Sequence, residues 1–351
     1  MAKFLTDSPR DIELAGKLLR AGTLVAIPTE TVYGLAANAF DEDAVRRIFL
    51  AKGRPFIDPL IVHVPTFAQA GSVADTSNPA AAKLAERFCP GPLTMVLPKK
   101  NCVPQIVTAG EPTVAVRMPR HPLTQKIMAS AGVPLAAPSA NPFGYVSPTT
   151  AQHVQDSLGD KIGYIVDGGS CDCGIESTIV LVGEEIRILR LGAITREEIS
   201  ECLGAPVALS RGLMEAAAEG ARGNDGARAQ LAPGMLKKHY SPHAQVCLVD
   251  DAEREFPPLL GEVRRSSSRE KYAFVFQKRP TRLAGAGGDF ASVENVFWLS
   301  ESGSAADAAR AVFALLRKLD AAGYEKIFIE KCRDTGIGAA VNDRLSRAAA
   351  K

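Results

Sequence analysis

The chain lacks several patterns that would assign it to a common class of protein. Its 351 residues contain no run of about 18 apolar residues, so we expect no membrane-spanning helix. The first residues, MAKFLTDSPRDIE, lack the apolar core of a secretory signal, which leads us to expect a cytoplasmic protein. The patterns G-x-S-x-G, H-E-x-x-H, G-x-G-x-x-G and Walker A are also absent. Their absence disfavours α/β-hydrolases, zincins, Rossmann cofactor enzymes and P-loop enzymes.

A protein-held metal is not expected either. The chain has 7 cysteines, and Cys171 and Cys173 form a C-x-C pair without a C-x-x-C motif or a nearby histidine to complete a site. A tetrahedral zinc site needs four ligands, so we predict no metal-binding residues. The formal net charge of +2 neither requires nor excludes a nucleic-acid partner.

The order of apolar and polar segments predicts an α/β protein with two domains. Strand patterns alternate with helical ones up to residue 206, and the composition then changes to Ala, Gly and Arg. We predict a catalytic domain at 1–206, a linker that closes as a lid at 207–242, and a smaller α/β domain with a mostly parallel sheet at 243–351.

The clearest candidate for chemistry is the cationic segment KGRP. Lys52 and Arg54 are two residues apart, and Gly53 and Pro55 predict that both lie on a rigid loop rather than in a helix. Two cations held this close repel each other unless an anion lies between them. The residues therefore indicate a phosphate site, and two solvated surface charges are the alternative.

Further polar residues come at the ends of predicted strands. Arg117 and Arg190 each end a strand, Ser139 and Asn141 follow one, and Ser177 begins another. Each residue alone is compatible with an ordinary turn, but together they predict a crevice lined with donors for anionic oxygens.

A histidine within an apolar strand is the remaining candidate. His63 lies in the segment PLIVHV and is either a satisfied core residue or a ligand-binding group. No spacing in the chain supports a Ser-His-Asp triad.

Several motifs together resemble a known family. PTETVYGLA, KGRP, PGPLT, VRMP, PSAN and STIV occur in this order, followed by KHYSP and NDRLSRAA. Their combination resembles the YrdC-type threonylcarbamoyl-AMP synthases in their long, two-domain form, over nearly the whole chain. The resemblance implies an N-terminal YrdC-like twisted mixed sheet with helices and a smaller, Rossmann-like α/β domain at the C-terminus.

The resemblance also implies a reaction. Such a nucleotidyltransferase makes L-threonylcarbamoyl-AMP and pyrophosphate from L-threonine, bicarbonate or CO2, and ATP. Mg²⁺ is expected on the triphosphate, with few protein ligands. The product would serve a downstream transferase that modifies an adenosine in tRNA, and direct contact with tRNA is possible on the same grounds.

The family motifs assign roles to individual residues of this chain. Lys52 and Arg54 would be catalytic and would face the phosphates and bicarbonate. Threonine contacts are implied for Thr31, His63, Arg117, Ala137 and Ser177. Contacts with ATP are implied for Lys52, Arg54, Asp58, Thr113, Ser139, Asn141, Ser147, Arg190 and Tyr240.

Asp58 departs from the family pattern, which often has Asn at this position. An anionic side chain near phosphates is unfavourable unless it faces Mg²⁺ or a cation. The sequence does not decide between these two arrangements.

Two other functions are compatible with parts of the sequence. A non-catalytic RNA-binding module in tRNA or ribosome maturation could use the same cations, although no aromatic RNA-recognition motif is present. A carbamoyl-adenylate enzyme of the hydrogenase-maturation type shares a related domain, but the missing C-x-x-C pairs argue against it.

Overall fold

The structure is a computed structural model that describes residues 1–210, 213, 232–233, 239–265, 271–280 and 295–350. It divides into two compact units, Met1–Phe143 with Ser147–Leu236, and Gly144–Val146 with Lys237–Lys351. Most of the predicted lid lies outside the described residues, so its closure stays a prediction. Within the described ranges no helix has the length and apolar character needed to cross a membrane.

The first unit is built on one large mixed sheet with helices, as predicted. Its strands are β1 (Lys3–Leu5), β2 (Val25–Ile27), β3 (Gly34–Asn38), β4 (Ile61–His63), β5 (Leu93–Pro98), β6 (Thr113–Arg117), β7 (Leu135–Ala136), β8 (Tyr164–Val166), β9 (Thr178–Val182), β10 (Ile186–Arg190) and β11 (Ala208–Leu209). Their order in the sheet is β1-β8-β2-β3-β7-β4-β6-β5-β9-β10-β11. Several neighbours at the centre of the sheet are not consecutive in sequence, such as β3 with β7, β4 with β6 and β5 with β9, so residues distant in sequence meet there.

Side chains cap the N-termini of most helices of this unit. The helices are α1 (Pro9–Arg20), α2 (Glu42–Lys52), α3 (Phe67–Ala70), α4 (Pro79–Phe88), α5 (Gln105–Thr108), α6 (Pro122–Ala131), α7 (Ala151–Leu158) and α8 (Arg196–Leu203). The sequence Ser8-Pro9 predicts an N-cap followed by a proline at the first helical position, and the structure confirms it, because the Ser8 hydroxyl accepts from the Asp11 N–H. The sequence Ser147-Pro148-Thr149 predicts the start of a helix, but α7 begins after it, at Ala151, with Thr150 as its N-cap.

The predicted loop position of Lys52 is wrong. Lys52 is the last residue of α2, and Gly53 follows as a left-handed C-cap with φ of 65°. Gly53 adopts this conformation without the steric cost that a Cβ would bring. The helix therefore ends at Lys52, directly before this glycine. Arg54 lies on the loop, as predicted.

Apolar side chains cover both faces of the large sheet. The larger core cluster includes Val62, Met95, Val116 and Val180, which are all buried on one face. On the other face Ile61, Val96, Ala115 and Ile179 form a smaller buried cluster with Ala232. Side chains of a strand alternate between the two faces of the sheet. A residue two positions away from a member of this second cluster, on the same strand, therefore lies on the same face as the cluster.

The second unit is a small α/β domain with a parallel sheet, as predicted. Its strands are β12 (Gln245–Val249), β13 (Tyr272–Lys278), β14 (Val296–Ser300) and β15 (Lys326–Glu330), in the order β12-β15-β13-β14. All three strand pairs are parallel. Its helices are α9 (Ala252–Arg265), α10 (Ala305–Ala321) and α11 (Ile337–Ala349). Sequence patterns missed α9, which contains Pro257 and Pro258.

Candidate active site

A row of polar side chains crosses adjacent strands of the large sheet. His63 of β4 lies beside Arg117 of β6, and Arg117 lies beside Thr94 of β5. All three are buried, and alternation places them on the face that carries the Ile61 cluster. His63 and Arg117 are also the last residues of β4 and β6, so the row lies at strand ends, as predicted, and on one face of the sheet. That the row lines a crevice for anionic oxygens stays a prediction.

Arg117 forms a buried ion pair that sequence reasoning missed. Its Nη2 donates to Glu30 Oε1 at 2.8 Å, with the side chains 5% and 1% exposed. Burial alone would raise the pKa of Glu30, but the charge and hydrogen bond of Arg117 outweigh it and lower that pKa. Glu30 is therefore a carboxylate, and Arg117 has a counter-charge within the protein.

His63 is neutral in this environment. Burial and the positive charge of Arg117 lower the pKa of His63 to about 3. Its Nδ1 and the Nε of Arg117 are buried, and neither has a hydrogen-bond partner among the described residues. Two unsatisfied polar atoms on adjacent strands indicate a place for a ligand with polar groups.

Hydroxyl groups continue the row towards β9 and β10. Thr94 Oγ1 and Ser177 Oγ are 2.7 Å apart, and Arg190 Nη2 donates to Ser177 Oγ at 3.0 Å. Arg190 also donates to the backbone oxygens of Ser177 and Pro233. The β9–β10 register shifts between Ile188 and Arg190, and such an irregularity changes the direction of a side chain.

The loop after β2 is arranged by one threonine hydroxyl. Thr29 Oγ1 accepts from the N–H groups of Thr31 and Val32 and donates to the Val32 oxygen. The Thr31 hydroxyl lies 2.9 Å from that of Thr29. These bonds give the PTET segment a defined conformation, from which Glu30 reaches Arg117.

Lys52 lies next to the PSAN segment, 87 residues away in sequence. It is 3% exposed, and its Nζ donates to the backbone oxygens of Ser139 and Asn141. The ammonium group is therefore held by the protein, and the interpretation of Lys52 as a solvated surface charge is wrong. Ser139 also pairs with Gly34 through an isolated β-bridge.

Arg54 and Asp58 form a second buried ion pair. Arg54 Nη2 lies 3.0 Å from Asp58 Oδ2, and the side chains are 4% and 0% exposed. Arg54 also donates to the backbone oxygens of Asp58 and Pro59. Asp58 therefore faces a cation, which resolves the two arrangements that the sequence left open. Its contact with ATP stays a prediction.

Ser147 pairs with a glutamate that sequence reasoning also missed. Ser147 Oγ donates to Glu176 Oε1 at 2.7 Å, and both residues are buried. Glu176 directly precedes Ser177, so the STIV segment contributes to both the Ser147 contact and the hydroxyl row.

The other predicted site residues occupy different surroundings. Ala137 is buried and donates its N–H to Ile61 O. Thr113 begins β6, roughly 13 Å along the strand from Arg117 at 3.3 Å per residue. Tyr240 belongs to the second unit, where its ring is 1% exposed and stacks on Phe313 at 5.3 Å. Direct ligand contacts of these residues stay predictions.

Glu30, Thr94 and Glu176 were not among the predicted site residues. Each lies within or next to a quoted motif, PTETVYGLA, PGPLT or STIV. The signal that could have found them is that a polar residue stands next to an apolar, strand-like segment inside or beside these motifs. Their partners lie up to 87 residues away, as for Glu30 and Arg117, and no local pattern reveals such pairs.

Gly192 packs against the backbone of residues 176–178, which carries the hydroxyl of Ser177. A substitution at Gly192 therefore tests how much the stability of this segment depends on that close packing. A Cβ on Gly192 would lie 2.4 Å from Thr178 N and 2.5 Å from both Glu176 O and Ser177 C. We expect Gly192→Ala to displace this segment and to lower the free energy of unfolding by about 1–3 kcal/mol. Denaturant titration measures the loss. Gly183→Ala is the matched control, because its nearest contact would be 3.9 Å away. Equal stability of both variants would contradict the expectation.

Comparison with known proteins places these motifs in a family. Residues 17–192 match the family model described as "Telomere recombination", and residues 194–350 match "Threonylcarbamoyl-AMP synthase, C-terminal domain". The threonylcarbamoyl-AMP synthase of Pyrococcus abyssi is 39% identical over 338 residues, which cover 96% of this chain and 93% of that protein. The Bacillus subtilis protein of the same name is 37% identical, over 98% of this chain and 94% of its own length.

A solved structure agrees with the sequence relatives. The crystal structure of P. abyssi Sua5 in complex with L-threonine matches with a TM-score of 0.87 and 36% identity. The match covers 99% of this chain and 97% of that one. These matches cover both halves of the chain, and the chain belongs to the two-domain threonylcarbamoyl-AMP synthase family.

Proposed function

We propose that this chain is an L-threonylcarbamoyladenylate synthase, a nucleotidyltransferase that uses L-threonine, bicarbonate or CO2, and ATP. The observation that carries the proposal is the buried Glu30–Arg117 pair beside neutral His63, with an Arg117 Nε that lacks a partner among the described residues. A guanidinium edge is suited to a carboxylate, and a neutral imidazole can accept from a hydroxyl or amine. The related P. abyssi protein, crystallised with L-threonine, supports threonine as the amino acid.

The chemistry balances without a covalent enzyme intermediate. The neutral amine of threonine forms a C–N bond with CO2 and releases one proton. With bicarbonate as the carbon source, one water molecule is released in place of that proton. A carbamate oxygen then attacks the α-phosphorus of ATP, the bond to the β-phosphate oxygen breaks, and pyrophosphate leaves. Positioning and neutralisation of charge are the main demands of such a phosphoryl transfer.

The candidate residues divide between these demands. On the amino-acid side we assign Arg117 to the threonine carboxylate, with Thr31, His63, Ala137 and Ser177 around the substrate. On the nucleotide side we assign Lys52 and Arg54 to the phosphates and the carbamate. Ser139, Asn141, Ser147, Arg190, Thr113 and Tyr240 complete the proposed contacts with ATP.

Mg²⁺ fits this site as part of the ATP complex. Among the described residues no group of three or more His, Cys, Asp or Glu side chains is arranged to hold a metal. Glu30 and Asp58 each face an arginine, and Glu176 accepts from Ser147. These residues therefore suit an ion held mainly by phosphate oxygens and water. When bound, Mg²⁺ would neutralise part of the triphosphate charge.

The burial of the candidate cations disfavours the RNA-binding alternative. Lys52, Arg54, Arg117 and Arg190 are between 3% and 6% exposed. Cations that bind an RNA backbone need access to phosphates on a large ligand. Buried cations of this kind are better suited to the phosphates of a small substrate than to those of RNA. We propose that the product then passes to a tRNA-modifying transferase and that the activity is cytoplasmic.

The test is threonine-dependent release of pyrophosphate. We expect the purified full chain with ATP, Mg²⁺ and bicarbonate to release pyrophosphate only when L-threonine is added. Mass spectrometry should detect threonylcarbamoyl-AMP in the same reaction. Omission of bicarbonate under CO2-free conditions is the control. Pyrophosphate release that is indifferent to threonine would refute the proposed function.

A further inference from the structure

Glu30 contacts Arg117 and the backbone of Arg120, but it has no assigned role in the proposed reaction. We propose that Glu30 is a positioning residue of the amino-acid site, which holds Arg117 so that one edge of its guanidinium stays available to the substrate carboxylate. The inference deepens the proposed function and rests on it.

The Glu30 side chain is fixed at both oxygens. Oε1 accepts from Arg117 Nη2 at 2.8 Å, and Oε2 accepts from the Arg120 N–H at 3.1 Å. The backbone is fixed as well, because Glu30 O accepts from the Cys173 N–H at 2.8 Å. With the turn arranged by Thr29, the carboxylate has little freedom to move relative to Arg117.

The backbone N–H of Arg120 determines how many oxygens of the Glu30 carboxylate contact the Arg117 guanidinium. A carboxylate that faces an arginine alone often takes two parallel N–H bonds, which would occupy both Nε and Nη2. Here the second oxygen is engaged by Arg120, so Glu30 contacts Arg117 through one oxygen. The Arg117 Nε is left without a hydrogen-bond partner among the described residues. The geometry thus preserves a donor while it orients the group.

Charge balance gives a second reason for the pair. A guanidinium that is 5% exposed would be costly to bury alone, and Glu30 supplies the opposite charge. A zwitterionic amino acid adds no net charge to this pair. Arg117 can therefore bind a carboxylate and remain paired on its other side, whereas a substrate that had to displace Glu30 would leave that carboxylate buried and uncompensated.

The inference assigns Glu30 an effect that acts through Arg117, and a double-mutant cycle tests this. We compare Glu30→Ala, Arg117→Ala and the double variant by their KM values for threonine and ATP in pyrophosphate release. We expect Arg117→Ala to raise the threonine KM by about 100-fold and Glu30→Ala by about 10-fold, with the ATP KM changed less than about 2-fold. The double variant should match Arg117→Ala.

Two further variants separate positioning from folding. Glu30→Gln retains the shape and one acceptor oxygen, so its threonine KM should lie between those of the wild type and Glu30→Ala. Glu201→Ala removes an exposed ion pair with Arg87 and should leave both KM values unchanged. Thermal unfolding curves show whether each variant folds, and the comparison uses Glu30→Gln if Glu30→Ala does not.

Two results would overturn the inference. One is a double variant whose effect equals the product of the two single effects. The other is a Glu30 variant that changes the ATP KM and leaves the threonine KM at its wild-type value. If the wild type shows no threonine-dependent reaction, the proposed function fails by itself. Calorimetric binding of threonine to the same variants then decides the inference, and absence of threonine binding to the wild type overturns it.

Discussion

Lys52→Ala is expected to lower threonine-dependent pyrophosphate release by about 100-fold or more, the size seen when a preorganised charge is removed from a reaction centre. Lys52 ends α2, where the helix dipole favours a cation, and its Nζ donates to Ser139 O and Asn141 O. These carbonyl groups hold the ammonium in place before any substrate binds. A cation that needs no reorganisation stabilises the charge of a transferring phosphoryl group most effectively.

The Lys52 experiment has a matched control on the surface. Lys17 pairs with Glu13 four residues away, and its side chain is 66% exposed. Lys17→Ala should retain wild-type activity and stability within about 0.5 kcal/mol. Steady-state rates at saturating threonine and ATP compare the variants. Activity of Lys52→Ala within threefold of wild type, in a protein that unfolds at the wild-type temperature, would remove Lys52 from the phosphate site.

Asp58→Ala is expected to lower the free energy of unfolding by about 3–5 kcal/mol, because it leaves Arg54 buried without its counter-charge. The Arg54–Asp58 pair is 4% and 0% exposed, and the Nη2–Oδ2 distance is 3.0 Å. Activity should fall with stability, since Arg54 would lose the carboxylate that it faces. Urea denaturation followed by circular dichroism measures the change.

The chain contains an ion pair of the same spacing for comparison. Glu42 and Arg46 are also four residues apart, but they are 3.9 Å from each other and about half exposed. Glu42→Ala should change the free energy of unfolding by less than about 0.5 kcal/mol. Asp58→Asn, which retains the shape and one acceptor oxygen, should cost less than Asp58→Ala. Equal effects of Asp58→Ala and Glu42→Ala would show that burial does not govern the Arg54 pair.

Elements with strong local signals were predicted well from the sequence. Apolar segments with clear stops predict strands at Thr113–Arg117, Gln245–Val249 and Lys326–Glu330, and the structure has strands with these bounds. The predicted cap Ser8 accepts from the Asp11 N–H. A helix is predicted over Ser304–Ala321, and in the structure Ser304 is its N-cap and accepts from the Asp307 N–H. Capping depends on residues within one turn, so it is visible in the sequence alone.

Elements with weak local signals were missed. Strand β3 reads GLAAN and carries neither the β-branched residues nor the alternation that predicts a strand. It forms because β2 and β7 provide hydrogen-bonding partners on its two sides. Its existence is therefore a property of the sheet and not of the segment.

Residue types and motif order alone determined the family, the two-domain α/β class and the set of cations expected to meet anionic substrates. The tertiary structure alone decided how those residues are paired. It joined Arg117 to Glu30, Lys52 to the PSAN carbonyl groups, and Arg54 to Asp58. The physical reason is that a buried charge must find an opposite charge or fixed dipoles nearby. Strand order brings the partners of Arg117 and Lys52 near from 87 residues away, whereas the conformation of one loop turns Asp58 towards Arg54, four residues before it.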